Sequence, residues 1–340
     1  MSSSTHEPQK IGTKLSIQNI RPLDFDDPKT QSVWRSTLAH AQSTNLRGIL
    51  EVRSTVQDVI VSTLRSKGFL HPPVHLFSTC VDPLNHETET ARFDYYGQEC
   101  TLMQSLIFHK MAILALSSLD KVFWISPNIR KELGVSDPRR YASEFTQIDF
   151  ESTELDMQSC MSLIEEVVTR VYAVVSDVHG ELVKAISGRA LRPLERPMRR
   201  YDLRDEARRR GVPPGRVEAL LAAEEDQPFF LTNLVREAYD RRDDASGRYH
   251  NYDVILPVTG EVLSGAEREH THERLLLRMQ ELGYPIAYFE PILRLAKEHG
   301  LRPSAGAGFG VERFVRGLLL LDDVAEVYPF ARVPEEMIIF

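Results

Sequence analysis

Helical periodicity marks much of the chain. Over residues 48–68 apolar side chains fall on one helical face and the run stops at Gly68, which predicts an amphipathic helix. That face consists of Ile49, Val52, Val56, Val59, Ile60 and Leu64. The next stretch, FLHPPVHLF, is expected to be extended, because a residue before proline is biased away from the helical region. Four later stretches return to helical spacing, and the final two end at glycine: 101–118, 153–186, 268–283 and 288–300.

Strand patterns lie between these helices. VFWIS (122–126) and FTQIDF (145–150) predict two strands joined by a polar loop. DVILPV (253–258), a Thr-Gly turn and EVLSG (261–265) predict a hairpin. Antiparallel-looking strands beside segregated helices indicate an α+β fold, in which an antiparallel sheet is flanked by helices.

The chain is predicted to be one large domain behind a polar leader. Residues 1–30 lack periodicity, so we expect a flexible lead-in, followed by a domain over 31–340 with a variable, insertion-like region at 189–250. Of the 340 residues, 42% are apolar, which is ample for a core. No apolar run approaches the roughly 18 residues of a membrane helix, and no secretory block opens the chain, so we expect a cytoplasmic protein.

Charge and cysteine content exclude several classes of protein. A formal net charge of −8 argues against broad attraction to nucleic acid or anionic membrane. Three widely spaced cysteines indicate neither a disulfide framework nor a zinc site. The exception on charge is the segment 189–216, with ten arginines, which is either a solvated helical face or a contact for a polyanion.

The segment SAGAGFGVERFVRGLLLL (304–321) is the first candidate for chemistry. It lacks the spacing and position of a dinucleotide-binding fingerprint, and no Gly-Lys-Ser/Thr follows as a P-loop requires. Backbone without side chains does let a planar adenine lie close, and Arg313 in the first turn of the following helix can reach a phosphate. The segment therefore indicates nucleotide binding of another kind.

Three alternate glycines followed by Val-Glu-Arg resemble motif 3 of the class II aminoacyl-tRNA synthetases. Residues 122–151, VFWISPNIRKELGVSDPRRYASEFTQIDFE, look like motif 2 of the aspartyl/asparaginyl branch, and KGFLHPPV (67–74) resembles motif 1. The resemblance covers about residues 45–340. It implies the fold of these synthetases, ATP and Mg²⁺ as cofactors, and a homodimer built around motif 1 with Pro73.

The resemblance assigns two catalytic arginines to the nucleotide. Arg130 would bind the α-phosphate and the substrate carboxylate, and Arg313 would hold the β/γ end of ATP. A guanidinium clamps a phosphate through two parallel hydrogen bonds, which suits both roles. Tyr141 stands where the family often has a histidine against the γ-phosphate, so Arg139 or Arg140 is expected to take that contact.

Four further residues would bind the adenosine half by this resemblance. Glu132 would accept a hydrogen bond from the adenine amino group, and Phe145 would stack on the ring. Gly308 and Gly310 would let the nucleotide approach the backbone.

The hairpin segment 253–283 is similar to the part of asparaginyl enzymes that carries Asp, Gly-Glu and a Ser-containing turn. Carried across, Glu261 and Asp253 would hold Mg²⁺ that bridges the ATP phosphates, with the Ser264 hydroxyl as a further ligand. Mg²⁺ favours a few hard oxygen donors and lets substrate phosphates complete its shell. The alternative is a surface hairpin with exposed acids.

The choice of amino acid is predicted from one helix. In the family that helix opens with Gln-Ser-Pro-Gln, and six residues after its first Gln lies a Lys in aspartate enzymes or an acid in asparagine enzymes. This chain has Gln104, Ser105 and Lys110 at those positions. Lys110 with Arg268 would form a cationic pocket for a second carboxylate, so we expect aspartate or a similar dicarboxylic amino acid.

The α-ammonium of the substrate would be bound by Asp149, assisted by Glu87 or Glu89. Two departures from the family affect this region. Leu106 and Ile107 replace Pro-Gln and remove an amide near the amino end of the substrate, and Ser304 replaces a histidine. A changed pose of the substrate is therefore expected.

The implied reaction is formation of an acyl-adenylate by an ATP-dependent, AMP-forming ligase. The family's anticodon-binding domain is not recognised ahead of residue 45, so transfer to ammonia or a small amine is the expected second step, as in an asparagine synthetase-like enzyme. Two alternatives stay open. One is aminoacylation of a tRNA or carrier, and the other is a non-catalytic regulatory relative.

Overall fold

A computed structural model describes residues 22–84, 86–135, 137–334 and 336–339. Its centre is a seven-stranded sheet in the order β5-β7-β12-β11-β10-β9-β8. The strands of that sheet are β5 (Lys121–Ile129), β7 (Glu144–Ser152), β8 (Arg199–Asp202), β9 (Phe229–Thr232), β10 (Asn251–Leu256), β11 (Gly260–Glu267) and β12 (Ala305–Gly310). Neighbours are antiparallel except β8 and β9, which pair in parallel.

Five short strands lie outside this sheet. They form a three-stranded sheet in the order β1-β4-β3 and a two-stranded ribbon of β2 and β6. Their bounds are β1 (Phe77–Ser78), β2 (Thr88–Glu89), β3 (Arg92–Tyr95), β4 (Gln98–Leu102) and β6 (Lys131–Glu132).

Helices cover the sheet. Their bounds are α1 (Pro28–Ala41), α2 (Thr44–Ser66), α3 (Ile107–Leu116), α4 (Met157–Ser187), α5 (Leu203–Arg210), α6 (Val217–Glu224), α7 (His272–Glu281), α8 (Glu290–Glu298) and α9 (Val311–Leu319). The apolar faces of α2, α4 and α9 form the main core with the sheet, and a second core joins α3, α7 and α8. No helix in the described part of the chain is both long and apolar enough to cross a membrane.

The two faces of β12 differ, and this difference positions the site. Ala305, Ala307 and Phe309 point into the main core, whereas the alternate glycines face the opposite side of the sheet. Gly308 is in register with Asp149 of β7 and Ser264 of β11, and Ser264 is in register with Asp253 of β10. A row of polar side chains and one glycine therefore crosses four adjacent strands.

Most of the predicted elements are present, with shifted bounds. The helix expected over 48–68 is α2, and the hairpin is formed by β10 and β11. The helix expected over 101–118 is shorter, because Gln98–Leu102 is a strand paired with β3 and only Ile107–Leu116 is helical. The end of the expected lead-in at residue 30 falls inside α1, while residues 1–21 lie outside the described residues.

The region 189–250, expected to be insertion-like, extends the main sheet. It contributes β8 and β9 at one edge and packs α5 and α6 against them. Six of the ten arginines in the segment 189–216 form ion pairs within the chain: Arg192, Arg196, Arg199, Arg208, Arg209 and Arg210. These partners support the interpretation of a solvated, ion-paired face over a polyanion contact.

Candidate active site

A cavity of about 740 Å³ opens over the glycine face of β12. It is lined by these predicted site residues: Ser105, Lys110, Arg130, Glu132, Phe145, Asp149, Asp253, Glu261, Ser264, Arg268, Gly308, Gly310 and Arg313. Arg140 and Glu89 are not among the lining residues. Residues from five separate stretches of sequence therefore meet around one space.

The predicted adenosine site is assembled at the motif 2 strands. The Arg130 guanidinium lies over the Phe145 ring, 5.0 Å from its centroid, and its Nε donates to the Gln104 carbonyl oxygen at 3.0 Å. The carboxylate of Glu132 is buried and lies 2.7 Å from Nε2 of His86. The aromatic face, the guanidinium and the carboxylate thus lie together as expected.

The start of α9 places Arg313 at the far end of the cavity. Its Nη1 lies 2.9 Å from Oε2 of Glu261, and its guanidinium is 5.1 Å from the centroid of the Tyr141 ring. Nε donates to the Arg140 carbonyl oxygen at 3.2 Å. Arg313 is therefore held by the motif 2 loop and by the hairpin.

The expectation that the Arg140 side chain lines the phosphate end is not met in this structure. Its Nη2 lies 3.1 Å from Oε1 of Glu218, and Glu218 itself lines the cavity. Glu218 belongs to α6 in the region 189–250, so Arg140 is paired with an acid that the sequence analysis did not anticipate.

The predicted metal ligands are neighbours on β10 and β11. Ser264 Oγ donates to Oδ1 of Asp253 at 2.7 Å and lies 3.4 Å from Oε1 of Glu261. Arg236 Nη1 lies 2.5 Å from Asp253 Oδ1. Burial raises the pKa of Asp253 to about 7, against the lowering effect of Arg236 and with the help of repulsion from Glu261. In the described part of the chain no three acidic, histidine or cysteine side chains form a metal site by themselves.

The predicted cationic pocket is not a free pair of cations. Lys110 is only 2% exposed and forms an ion pair with Asp149, and its Nζ lies 3.2 Å from Oε2 of Glu151. The Arg268 guanidinium makes two hydrogen bonds to Glu151, at 3.0 and 3.1 Å, and lies 3.3 Å from Oδ1 of Asp240. Both cations already have carboxylate partners, so a second carboxylate from a substrate would have to share or displace them, and the pocket for such a carboxylate stays a prediction.

Opposite pKa directions follow from this network. Burial disfavours the charged form of Glu151, yet Arg268 and Lys110 outweigh burial and hold its pKa below the usual value. For Asp149 burial dominates over the Lys110 contact, and its pKa is raised. Lys110 donates to Oδ1 of Asp149, so a substrate ammonium would have to share this carboxylate with Lys110.

Glu89 lies outside the cavity. Its side chain is 58% exposed and forms an ion pair with Lys131 across the β2–β6 ribbon. Its expected place is taken by residues that sequence reasoning missed. Asp82 accepts hydrogen bonds from Ser105 at 2.6 Å and from Tyr239 at 3.1 Å, and Glu237 lines the same wall. The only sequence signal for these residues was the replacement of Pro-Gln by Leu106 and Ile107 beside them.

The match to the family model for class II tRNA synthetases (D, K and N) spans residues 30–334. The chain belongs to this family. Among curated relatives, an aspartate–tRNA(Asp/Asn) ligase of Methanothermobacter thermautotrophicus is 29% identical, over 95% of this chain and 77% of the relative. An asparagine–tRNA ligase of Lawsonia intracellularis is 26% identical, over 88% and 73%.

Solved structures of the family share the fold. The asparaginyl-tRNA synthetase of Pyrococcus horikoshii, complexed with asparaginyl-adenylate, superposes with a TM-score of 0.78 at 22% identity, covering 94% of this chain and 78% of that one. The expected α+β synthetase fold is thereby confirmed, as is the expected class of enzyme, an ATP-dependent, AMP-forming ligase. Activation of an amino acid by a class II synthetase core follows.

Proposed function

We propose that this protein activates a small polar amino acid with ATP and passes the aminoacyl group to the 3′ end of a tRNA. The proposal is carried by the convergence of Arg130, Phe145 and Arg313 over the glycine face of β12, in a chain of this family. The named relatives are aspartate– and asparagine–tRNA ligases, which favours tRNA over the ammonia acceptor expected from the sequence.

The first step needs positioning and charge compensation, not a protein nucleophile. An oxygen of the substrate carboxylate attacks the α-phosphorus, a new O–P bond forms, and the bond to the β-phosphate breaks to release pyrophosphate. Arg130 offsets charge that develops on the α-phosphate, and Arg313 holds the β/γ end in line. In the second step a ribose hydroxyl of the tRNA attacks the carbonyl carbon and AMP leaves.

Asp253, Glu261 and Ser264 fit a Mg²⁺ ion shared with ATP. They offer two carboxylates and a hydroxyl on adjacent strands, and Mg²⁺ typically takes one or two carboxylates and leaves the rest of its shell to phosphates and water. Held by these residues, such an ion would supply Lewis-acid compensation of the phosphate charge. Because Arg313 and Arg236 contact the same two carboxylates, they reduce the repulsion between Asp253 and Glu261.

Pyrophosphate exchange tests the activation step. Incubating the protein with ATP, labelled pyrophosphate and single amino acids is expected to return label to ATP for one substrate class. Arg313→Ala should lower the exchange rate on the order of 10²-fold, because a half-buried donor to the phosphates is lost. Arg294→Ala is the matched control, since this arginine is 67% exposed and pairs only with Glu298. Unchanged exchange in Arg313→Ala would contradict the phosphate role.

The acceptor is tested separately with the substrate that exchange identifies. Total tRNA should become acid-precipitable with the labelled amino acid, and the label should be released by mild base, as expected for an ester. Ammonia in place of tRNA should give no amide. Amide formation without charged tRNA would overturn the acceptor and leave the activation step standing.

We also infer a homodimer through the motif 1 segment. Leu70 and Leu76 are 54% and 53% exposed beside Pro73, whose carbonyl oxygen accepts a hydrogen bond from Trp124 Nε1 at 3.0 Å. Exposed apolar side chains on an ordered segment are typical of an interface. Light scattering after gel filtration should give twice the chain mass, and the doubled substitution Leu70→Asp with Leu76→Asp should give the monomer.

A further inference from the structure

The amino-acid end of the cavity carries more carboxylates than cations. Lys110 and Arg268, the two cations at its base, are engaged by Asp149, Glu151 and Asp240. Two carboxylates would be enough to neutralise these two cations. The third carboxylate, Asp240, is 1% exposed, and its other oxygen accepts from the Asn251 amide at 2.8 Å.

Two further acids stand on the wall beside these residues. Asp82 is 4% exposed, and its hydrogen-bond partners among the described residues are neutral donors, namely the Ser105 and Tyr239 hydroxyls and the Leu84 amide. Glu237 has a side chain that is 14% exposed. Its nearest cation is Arg236, whose Nε lies 3.5 Å away, while Nη1 of that guanidinium binds Asp253 and Nη2 lies 3.4 Å from Oδ2 of Asp240. Asp82, Glu237 and Asp240 are called the acidic wall below.

The balance of charge at this end is strongly negative. The acidic wall together with Asp149 and Glu151 gives five carboxylates, which face two cations, Lys110 and Arg268. Arg236 is left out of this count because its charge is set against that of Asp253. The formal excess is three negative charges. Burial raises the pKa of Glu237 to about 8, with repulsion from Asp240 and Asp82 acting against Arg236, so this carboxyl is largely protonated at neutral pH before a substrate binds, and the excess is then two negative charges. Like charges at low dielectric repel strongly, so a cavity of this kind favours a cationic occupant.

Each possible side chain of the substrate changes that balance differently. The α-ammonium group offsets one negative charge. A side-chain carboxylate would add one back, and it would have to displace Asp149, Glu151 or Asp240 from Lys110 and Arg268. A carboxamide would leave the excess unchanged, whereas a second ammonium would reduce it again and bring hydrogen-bond donors to acceptor-only groups.

We propose that the substrate is a short diamino acid, and that the acidic wall holds one of its two ammonium groups. This inference rests on the proposed function, because it concerns the substrate of the same activation step. Two hydroxyl donors hold the Asp82 carboxylate in place. One is Ser105, just ahead of α3, and the other is Tyr239, in the loop between β9 and β10. Glu237 and Asp240 come from that same loop, so two of the three carboxylates of the wall belong to the region that the sequence marked as variable.

Pyrophosphate exchange with four amino acids of similar size tests the inference: aspartate, asparagine, 2,4-diaminobutyrate and ornithine. A diamino acid should have the highest kcat/KM, on the order of 10²-fold above aspartate, because a site built for hydrogen-bonded polar groups rejects an analogue that leaves them unpaired. Glu237→Gln and Asp82→Asn should each lower kcat/KM for the diamino acid at least about 10-fold. Each should also lower the ratio of that kcat/KM to the value for asparagine. Glu298→Gln, a half-exposed acid on α8, should change nothing.

The outcomes separate this inference from the proposed function. Exchange with aspartate or asparagine but not with a diamino acid overturns the inference alone. No exchange with any amino acid overturns the proposed function, and calorimetric binding without ATP then decides the inference: tighter binding of diaminobutyrate than of aspartate supports it, and the reverse refutes it. Circular dichroism of Asp82→Asn checks its fold, and Glu237→Gln stands in if that variant does not fold.

Discussion

The two buried glycines of β12 should respond very differently to a methyl group. An added Cβ at Gly306 would lie 2.1 Å from the Phe150 carbonyl oxygen and 2.3 Å from Oε2 of Glu151. Neither atom can move away, because the carbonyl belongs to the neighbouring strand and the Glu151 carboxylate is held by Arg268 and Ser304. At Gly308 the nearest atoms belong to the Gln147 side chain, with Nε2 at 2.1 Å, and that side chain can rotate.

The expected loss of unfolding free energy in each variant depends on which contacts the added methyl group displaces. Gly306→Ala forces β12 from β7, which costs ~1–3 kcal/mol for overpacking, and stretches charge-assisted bonds to Glu151 worth a further ~1–3 kcal/mol. Gly308→Ala costs about 1 kcal/mol, the loss of the hydrogen bond from Asn128 to Gln147. Urea unfolding followed by circular dichroism measures both. Equal losses of unfolding free energy in the two variants would refute the argument that backbone contact at Gly306 decides the outcome.

Two other perturbations test the buried charges. Arg268→Met should lower the unfolding free energy by ~3–5 kcal/mol in the same urea assay, because buried Glu151 and Asp240 lose the Arg268 guanidinium and keep only one cationic contact each, from Lys110 and Arg236. A loss below about 1 kcal/mol would show that water reaches them. Glu237 should make stability depend on pH: its folded pKa of about 8 exceeds the usual 4.5, so its contribution is full below pH 4.5 and is lost as pH rises through 8. The urea midpoint of the unchanged protein should therefore fall between pH 4.5 and pH 8, whereas that of Glu237→Gln should not. The same pH dependence in both proteins would contradict the raised pKa of Glu237. The charged and titratable groups that act on this carboxyl are Arg236, Asp240, Asp82, Tyr239 and Tyr284.

Motif order predicted the nucleotide half of the site well. Arg130, Glu132 and Phe145 lie on or beside two strands joined by one loop, and their mutual placement is set by a local strand–loop–strand arrangement. Arg313 could be placed because it occupies the first turn of a helix directly after β12. Arg140 could not, because its partner Glu218 comes from α6, far away in sequence.

The amino-acid half was predicted less well for a related reason. Lys110 and Arg268 were correctly expected in one cavity, yet their charges were counted without their neighbours. Asp240, in the loop between β9 and β10, forms an ion pair with Arg268. Asp82 accepts a hydrogen bond from Tyr239, which lies 157 positions away in the sequence. Helical and strand periodicity carries no information about contacts between residues that are distant in sequence.

Sequence alone determined most of the local elements, the motifs and the type of chemistry, because periodicity and motif spacing depend on near neighbours along the chain, whereas the strand at the alternate glycines was seen only in the structure. Tertiary structure alone decided which charges remain available in the cavity. Ion pairs between distant segments convert two expected anion-binding cations into compensated ones, and they leave an acidic wall whose preference for a cation follows from the total charge enclosed there.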